Sequence, residues 1–268
     1  MPAVQLARLK LQIDRLLENF GLPVEFKHNL DDILEFYADR TYRAGQTITV
    51  RPLTPSRHVS PLVIQQLELA LRPYCASYPP AALALADILW PDPYLETRRM
   101  AVFMLGQASL DPPQPVLQRL AEWARPETPP EIIDLLLAIG TVRLRQEKPG
   151  VWLDTIQSWL QDPSLDRQRI GLKALLPLVD DPEFDNLPPI YRMITSFIHA
   201  PQPALLAVLQ DVLEALIRRS QPEALFYLRQ VLGSPTPPLS IRLIRRLIPM
   251  FGPDAQASLR KMMLVRSS

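Results

Sequence analysis

Two arginines recur at the same place in two similar helix openings. The segments LWPDPYLETRRMAVFML (89–105) and WLQDPSLDRQRIGLKAL (159–175) lie 70 positions apart, and Arg99 corresponds to Arg169. A guanidinium is a planar fork of donors that suits a phosphate or a carboxylate. Lys173 follows Arg169 by one helical turn and extends the same face. The pattern allows two roles: phosphate contacts from successive repeats, or ion pairs between each arginine and a neighbouring repeat.

A second group of arginines lies toward the carboxyl end of the chain. Although the net charge is only +1, residues 186–268 hold ten basic and four acidic residues. Such a basic stripe is typical of phosphate binding, but a solvated outer helix face looks the same in sequence. The candidates for phosphate contact in this group are Arg218, Arg219, Arg242, Arg245 and Arg246.

The motifs of most self-evident enzyme classes are absent. The chain has no GxxxxGK[ST] and no GxGxxG segment, so no nucleotide cofactor is expected. His28, His58 and His199 are far apart, and with the single cysteine Cys75 they form no metal-ligand spacing. No Gly-x-Ser-x-Gly elbow occurs. We therefore expect neither a metal nor a cofactor.

Prolines divide the chain into short helices. There are 30 prolines and 8 glycines, and pairs such as Ser60-Pro61, Asp92-Pro93 and Asp162-Pro163 predict helix starts with proline in the first turn. Between them, apolar residues fall at helical spacing. The run MAVFML (100–105) is apolar all round, so its helix needs neighbours on more than one side. The pattern predicts an all-α protein.

The 70-residue repeat predicts two units of about 35 residues, each of them a helical hairpin. Stacked hairpins form a solenoid, because no hairpin buries its apolar face alone. We predict a single domain over residues 1–268, a right-handed α–α superhelix of about six or seven hairpins. The exception is residues 40–60, a basic irregular loop with four arginines and no acid, in which GQTITV (45–50) is a possible short ribbon.

Features of location are few. No apolar run reaches the length that spans a bilayer, and the first 20 residues form an amphipathic pattern rather than a signal sequence. One cysteine suits a reducing compartment. The sequence predicts a cytoplasmic protein with no membrane partner.

Three segments resemble a known family: LADILWPDPYLETRRMAVFMLGQ (85–107), RQRIGLKALLPLV (167–179) and RRSQPEALFYLRQVL (218–232). They are similar to the DNA alkylation repair family, alkylpurine DNA glycosylases built from HEAT-like repeats, over roughly residues 60–232. The resemblance implies a concave basic face that cradles duplex DNA. It also implies a carboxylate beside the deoxyribose, which stabilises the positive charge that builds as an alkylated purine leaves.

Carried over position by position, the resemblance makes Asp134 the catalytic carboxylate and Arg169 the family's arginine. Pro130 stands where the family has a tryptophan four residues before the aspartate, and Val212 stands where a later tryptophan is expected. We therefore expect duplex DNA binding with weak or no base excision. The alternative is a non-enzymatic scaffold whose groove holds a protein or peptide.

Overall fold

The computed structural model describes residues 4–39 and 54–264, and within these ranges it has no strand. The all-α prediction is confirmed, with 76% of the described residues helical. The possible ribbon at 45–50 lies outside the described residues. The helices are α1 (Leu6–Glu18), α2 (Pro23–Phe36), α3 (Pro61–Ser77), α4 (Pro79–Leu89), α5 (Leu95–Gln107), α6 (Gln114–Trp123), α7 (Pro130–Ile139), α8 (Val142–Glu147), α9 (Pro149–Leu160), α10 (Leu165–Val179), α11 (Pro188–His199), α12 (Leu206–Arg219), α13 (Gln221–Gly233), α14 (Pro238–Leu247) and α15 (Pro253–Leu264).

Most helices start at a proline, as the sequence predicts. Pro61, Pro130 and Pro238 are each the first residue of their helix, where a missing N–H leaves no hydrogen bond unmade. None of the described helices is long and apolar enough to cross a membrane.

The two Asp-Pro openings depart from that prediction. The carboxylate of Asp92 accepts a hydrogen bond from the Tyr94 N–H at 3.0 Å, and that of Asp162 accepts one from the Ser164 N–H at 2.8 Å. These aspartates therefore close a turn ahead of the helix, and α5 and α10 begin only at Leu95 and Leu165. The placement of Pro93 and Pro163 in the first helical turn was wrong, because the aspartate side chain binds the turn rather than the helix N-terminus.

The chain divides into two compact units, residues 1–148 and 149–268. In the first unit, α1, α3, α5 and α7 contact one another in that order, and α2 packs against α4. Consecutive helices also pack together, notably α1 on α2, α3 on α4 and α4 on α5. This is the pairing expected of helical hairpins.

Helix α5 forms the centre of the first unit. Every residue from Met100 to Gly106 is buried, as the all-round apolar run predicts. The helix passes so close to α7 that a Cβ on Gly106 would meet the Ile139 carbonyl oxygen at 2.2 Å. Only glycine allows this approach.

The second unit repeats the arrangement. Helices α10, α12 and α14 contact in succession, α9 packs on α10, and α13 packs on both α12 and α15. The right-handed superhelix, its number of hairpins and the single-domain assignment for residues 1–268 stay predictions.

Candidate functional site

The end of the predicted basic loop is built into the first unit. Residues 40–53 lie outside the described residues, and residues 54–60, here called the anchor segment, run without a helix across α2, α5 and α7. The Pro55 carbonyl accepts a hydrogen bond from the Leu95 N–H at 2.8 Å, and Glu131 of α7 accepts one from the Thr54 N–H at 2.8 Å. Burial alone would raise the pKa of Glu131, but hydrogen bonds from its own backbone N–H and from Thr54 lower it overall.

Arg57 of the anchor segment is an internal residue. Its side chain is 10% exposed and donates to Asp31 Oδ1 and Thr97 Oγ1, each at 3.0 Å. Its guanidinium also lies 3.8 Å from the centroid of the Tyr94 ring. Because both terminal nitrogens donate inside the unit and Nε is buried, Arg57 is a structural cation rather than a phosphate contact.

An ion cluster surrounds this segment. Lys27 of α2 lies 2.6 Å from Asp31 Oδ2 and 2.7 Å from Asp92 Oδ2. Burial would lower the pKa of Lys27, but hydrogen bonds and charge attraction with Asp31 and Asp92 raise it overall. Burial would raise the pKa of Asp92, but its hydrogen bonds with Lys27 and the Tyr94 N–H lower it overall.

Arg99, the first of the recurring arginines, forms an ion pair between helices. Its Nε lies 2.7 Å from Glu68 Oε1 of α3, and its side chain is 35% exposed. This is the structural role that the repeat allowed. A phosphate contact by Arg99 stays a prediction, and it would have to compete with Glu68.

Arg169 and Lys173 both lie on α10, and each is half-buried. Arg169 pairs with Asp166, three residues earlier on its own helix, and both side chains keep a large part of their surface in solvent. A pair of this kind contributes about 0.3–0.5 kcal/mol and yields easily to a competing anion. Arg169 is therefore more available to a ligand than Arg99.

The two arginines at the end of α12 differ from each other. Arg218 is 59% exposed and lies 3.9 Å from Glu214 of its own helix. Arg219 turns the other way and donates to the Pro182 carbonyl at 2.8 Å, the Phe184 carbonyl at 3.2 Å and Asp185 Oδ1 at 3.1 Å. Arg219 therefore fastens the α10–α11 connection to α12.

Helix α14 carries the clearest basic face. Arg242, Arg245 and Arg246 are all exposed, and none of them forms a hydrogen bond or ion pair with a described residue. Leu243, Ile244 and Leu247 are buried on the other side of the same helix.

Between α10 and α14, the outward face of α12 is acidic. Asp211 is exposed and Glu214 is half-buried, against the single exposed cation Arg218. The sequence stripe of arginines is therefore interrupted in space by two carboxylates, a feature that the linear pattern does not reveal.

Asp134, the predicted catalytic carboxylate, is exposed on α7. Asp134 lies beyond the first helical turn. Glu131 is the acid in that turn, where a negative charge interacts favourably with the helix dipole. Pro130 is the first residue of that helix, and Val212 is completely buried in α12. A catalytic role for Asp134 stays a prediction.

The tryptophans pack mainly inside the units. Trp123 is 5% exposed and stacks on the half-buried Trp90, with ring centroids 4.3 Å apart. Trp152 and Trp159 meet edge to face at 5.5 Å, and both are buried. Three of the four tryptophans are therefore buried, and Trp90 is half-buried.

A cleft that the sequence analysis missed lies between α11 and α13, with a volume of about 960 Å³. Aromatic and polar side chains recur at helical spacing on both helices, at 191 and 195 and at 223, 226, 227 and 230. That stripe was the available signal, because a core-facing helix side does not normally alternate rings with charged and amide groups. Among the described residues, no group of three or more His, Cys, Asp or Glu is placed to hold a metal ion.

Comparison with known proteins supports the resemblance seen in the sequence. The model of a family described as DNA alkylation repair enzyme matches residues 61–204, more than half of the chain. The third resembling segment, 218–232, lies beyond the matched range. Neither the curated proteins nor the solved structures gave a match. The extent of the family match shows that this chain belongs to the DNA alkylation repair enzyme family.

Proposed function

We propose that this protein binds duplex DNA, with α14 as its principal phosphate-binding helix and α10 as a second contact. The observation that carries the proposal is the set Arg242, Arg245 and Arg246, three exposed guanidiniums that no described residue neutralises. Membership of a DNA alkylation repair family supports DNA as the anion.

The geometry of α14 favours phosphate binding over a merely solvated surface. Its apolar side is held in the core by Leu243, Ile244 and Leu247, so the three arginines share the opposite side. No acid occurs in the helix, which runs from Pro238 to Leu247. A phosphate that approaches this face therefore meets three fork-shaped donors and no carboxylate of the same helix.

The remaining candidates contribute unequally. Arg169 and Lys173 on α10 lie on a mixed face, where Asp166 is the local competitor. Arg218 is partly neutralised by Glu214, and Asp211 adds a second negative charge on α12. Arg219 acts through the α10–α11 connection as a positioning residue. Arg99 contributes least, because Glu68 already holds it.

The proposed interface is the concave face of a superhelix, and base excision there is weak or absent. Asp134 supplies an exposed carboxylate, but Pro130 and the buried Val212 supply no aromatic surface at the positions where the family has tryptophans. A carboxylate can stabilise the positive charge that builds on the deoxyribose only if the damaged nucleotide is held beside it.

The binding proposal is tested by measuring affinity for a labelled duplex at several salt concentrations. Each phosphate contact adds about 0.9 to the slope of log affinity against log salt concentration. We expect the triple variant Arg242→Gln, Arg245→Gln, Arg246→Gln to lower this slope by about 2–3. Arg229→Gln is the matched control, because Arg229 is exposed on α13 and, among the described residues, donates to Ser258 Oγ alone.

The alternative, a protein-interaction scaffold, predicts a different result. If the wild-type protein does not bind duplex at low salt, the DNA proposal fails and the scaffold is favoured. An unchanged slope in the triple variant would instead remove α14 from the interface while leaving DNA binding in place.

Excision is tested by incubating the protein with a methylated duplex and measuring the release of 3- or 7-methylpurine. We expect release to be slow, and Asp134→Asn to abolish what remains. Equal release by wild type and Asp134→Asn would show that Asp134 is not the carboxylate responsible.

A further inference from the structure

The cleft between α11 and α13 has the make-up of a small-ligand site. Its volume of about 960 Å³ lies at the upper end of the range that binds small molecules. Both helices belong to the second unit, and neither is one of the basic helices α10 and α14. None of the proposed phosphate-binding residues lines the cleft.

Aromatic rings form much of the cleft wall. Phe226 is 70% exposed although it is a large apolar side chain on a helix. Tyr191 and Tyr227 lie beneath the surface, with ring centroids 4.7 Å apart. The exposed ring can stack on a planar ligand, and the buried rings beside it provide an apolar contact surface.

Two polar groups of the cleft, the Tyr191 hydroxyl and the Arg192 guanidinium, have no partner among the described residues. The Tyr191 hydroxyl is buried and has no hydrogen-bond partner among the described residues. Arg192, the next residue, is exposed at the same cleft and forms no ion pair or hydrogen bond with a described residue. Tyr227, by contrast, has its hydroxyl 3.2 Å from Thr195 Oγ1. A buried hydroxyl without a partner is unfavourable, and a bound ligand would relieve it.

The charges of the cleft lie on opposite walls. Arg192 belongs to α11, and Glu223 belongs to α13. Among the described residues, Glu223 accepts one long hydrogen bond, from Ser220 Oγ at 3.4 Å. A carboxylate accepts two adjacent N–H donors, which guanine presents at N1 and N2, while a guanidinium binds phosphate.

We propose that the α11–α13 cleft binds an unpaired guanine nucleotide. The base stacks on Phe226, its N1–H and N2 amino group donate to Glu223, and its phosphate binds Arg192. The cleft is larger than one nucleotide, so the guanine comes either as a free mononucleotide or as an unpaired base in a strand. This goes beyond the duplex binding proposed for α10 and α14 and does not depend on it.

The experiment titrates the full chain by calorimetry with GMP, IMP, CMP and guanosine. Separate titrations use an all-thymine oligonucleotide and the same strand with one central guanine. We expect GMP to bind about tenfold more tightly than IMP, which lacks the N2 amino group, and more tightly still than CMP. Tighter binding of the guanine-bearing strand than of GMP identifies the strand as the source, and the reverse identifies the free nucleotide.

Four variants separate the contacts. Phe226→Ala weakens GMP binding about tenfold through lost stacking, and Glu223→Gln removes most of the preference for GMP over IMP. Arg192→Gln weakens the binding of GMP but not that of guanosine, because only GMP carries the phosphate. Tyr191→Phe weakens binding about threefold without lowering Tm, because the hydroxyl it removes makes no internal hydrogen bond.

Arg229→Gln, which removes a positive charge from α13 outside the cleft, leaves GMP binding unchanged. The triple α14 variant also leaves it unchanged, so failure of the cleft and failure of the duplex interface give different patterns. The proposal is overturned if GMP and the guanine strand do not bind, if CMP binds as well as GMP, or if Phe226→Ala binds like the wild type. It is also overturned if the cleft instead takes up an amphipathic helical peptide that GMP does not displace.

Discussion

Glu96 and Asp166 occupy the same position in the two repeated helix openings but have different surroundings. Glu96 is 5% exposed and accepts hydrogen bonds from Ser56 Oγ at 2.7 Å, the Arg57 N–H at 3.0 Å and the Val59 N–H at 3.4 Å. Asp166 has a side chain that is 53% exposed, and its ion pair among the described residues is with Arg169 of its own helix. One acid thus holds the anchor segment, and the other lies in solvent.

Substitution of these two acids should therefore have unequal effects on stability. Glu96→Ala leaves several buried donors of the anchor segment unpaired, and we expect it to lower the free energy of unfolding by about 3 kcal/mol. Asp166→Ala should change it by about 0.5 kcal/mol or less. Urea denaturation followed by circular dichroism measures both, and equal losses would show that the anchor segment does not depend on Glu96.

The sequence predicts the positions of such residues better than their partners. The repeated Asp-Pro and arginine positions identify Arg99 and Arg169 as equivalent, and both lie near the start of their helices. Helical periodicity gives the face of a side chain, but Glu68 reaches Arg99 from 31 residues away. Whether an arginine meets an acid or solvent depends on that tertiary packing, so the phosphate and ion-pair readings could not be separated beforehand.

At the scale of elements, apolar periodicity is a strong guide to which helices are buried. The run MAVFML predicts a helix surrounded by others, and α5 contacts α3, α4, α7 and α8. The close approach of α5 to α7 at Gly106 is not encoded in that pattern. A glycine inside an apolar helix reads as a weak point until the neighbouring carbonyl is seen.

Replacement of Gly106 tests the closeness of this packing. A Cβ at this position would lie 2.2 Å from the Ile139 carbonyl oxygen, which belongs to backbone and cannot rotate away. We expect Gly106→Ala to lower the free energy of unfolding by about 3 kcal/mol or more through overpacking. Gly150→Ala, where a Cβ would meet nothing within 4 Å, should be neutral or slightly stabilising in the same denaturation experiment.

The basic helices show how far a linear charge pattern can be taken. The sequence groups Arg218 and Arg219 with the arginines of α14, but the structure separates them. Arg219 is used to hold a connection, and Arg218 lies beside Glu214. The α11–α13 cleft was missed for a related reason: its walls come from two helices that are not consecutive in the chain, so no local pattern joins Tyr191 to Phe226.

At the scale of the whole molecule, the titrating groups are distributed unevenly between the two units. Asp92 and Glu131, whose pKa values are lowered, both belong to residues 1–148. Burial raises the pKa of Tyr191, and it raises that of Tyr227 to about 12; both tyrosines belong to residues 149–268. Acid should therefore destabilise the protein through the first unit, whereas alkali acts on both units, because Lys27 and Cys75 of the first unit also have raised pKa values.

The acid limb follows from the lowered carboxyl pKa values. Asp92 contributes stability at pH values above its ordinary pKa of 3.8, and this stability is lost as the pH falls through the lower folded value. We expect the free energy of unfolding, measured by denaturant titration, to decrease as the pH is lowered below about 4. Asp92→Asn should flatten this fall, whereas Asp162→Asn, at the same position of the second repeat, should leave it unchanged.

In alkali, stability decreases as the pH rises, and different groups are responsible. Between pH 10 and about 12 the unfolded chain ionises Tyr227 while the folded chain keeps it protonated, so stability falls as the pH rises through that window. Lys27 has a raised pKa, so the stability that its ion pairs contribute is also lost as the pH rises above 10.5. Tyr227→Phe should remove the tyrosine contribution and leave the Lys27 contribution, and tyrosinate absorbance should show one fewer late-titrating group. If Tyr227 instead ionises near pH 10 in the folded protein, the α11–α13 cleft is more open to water than its buried floor indicates, and stacking of a guanine there would be correspondingly weaker.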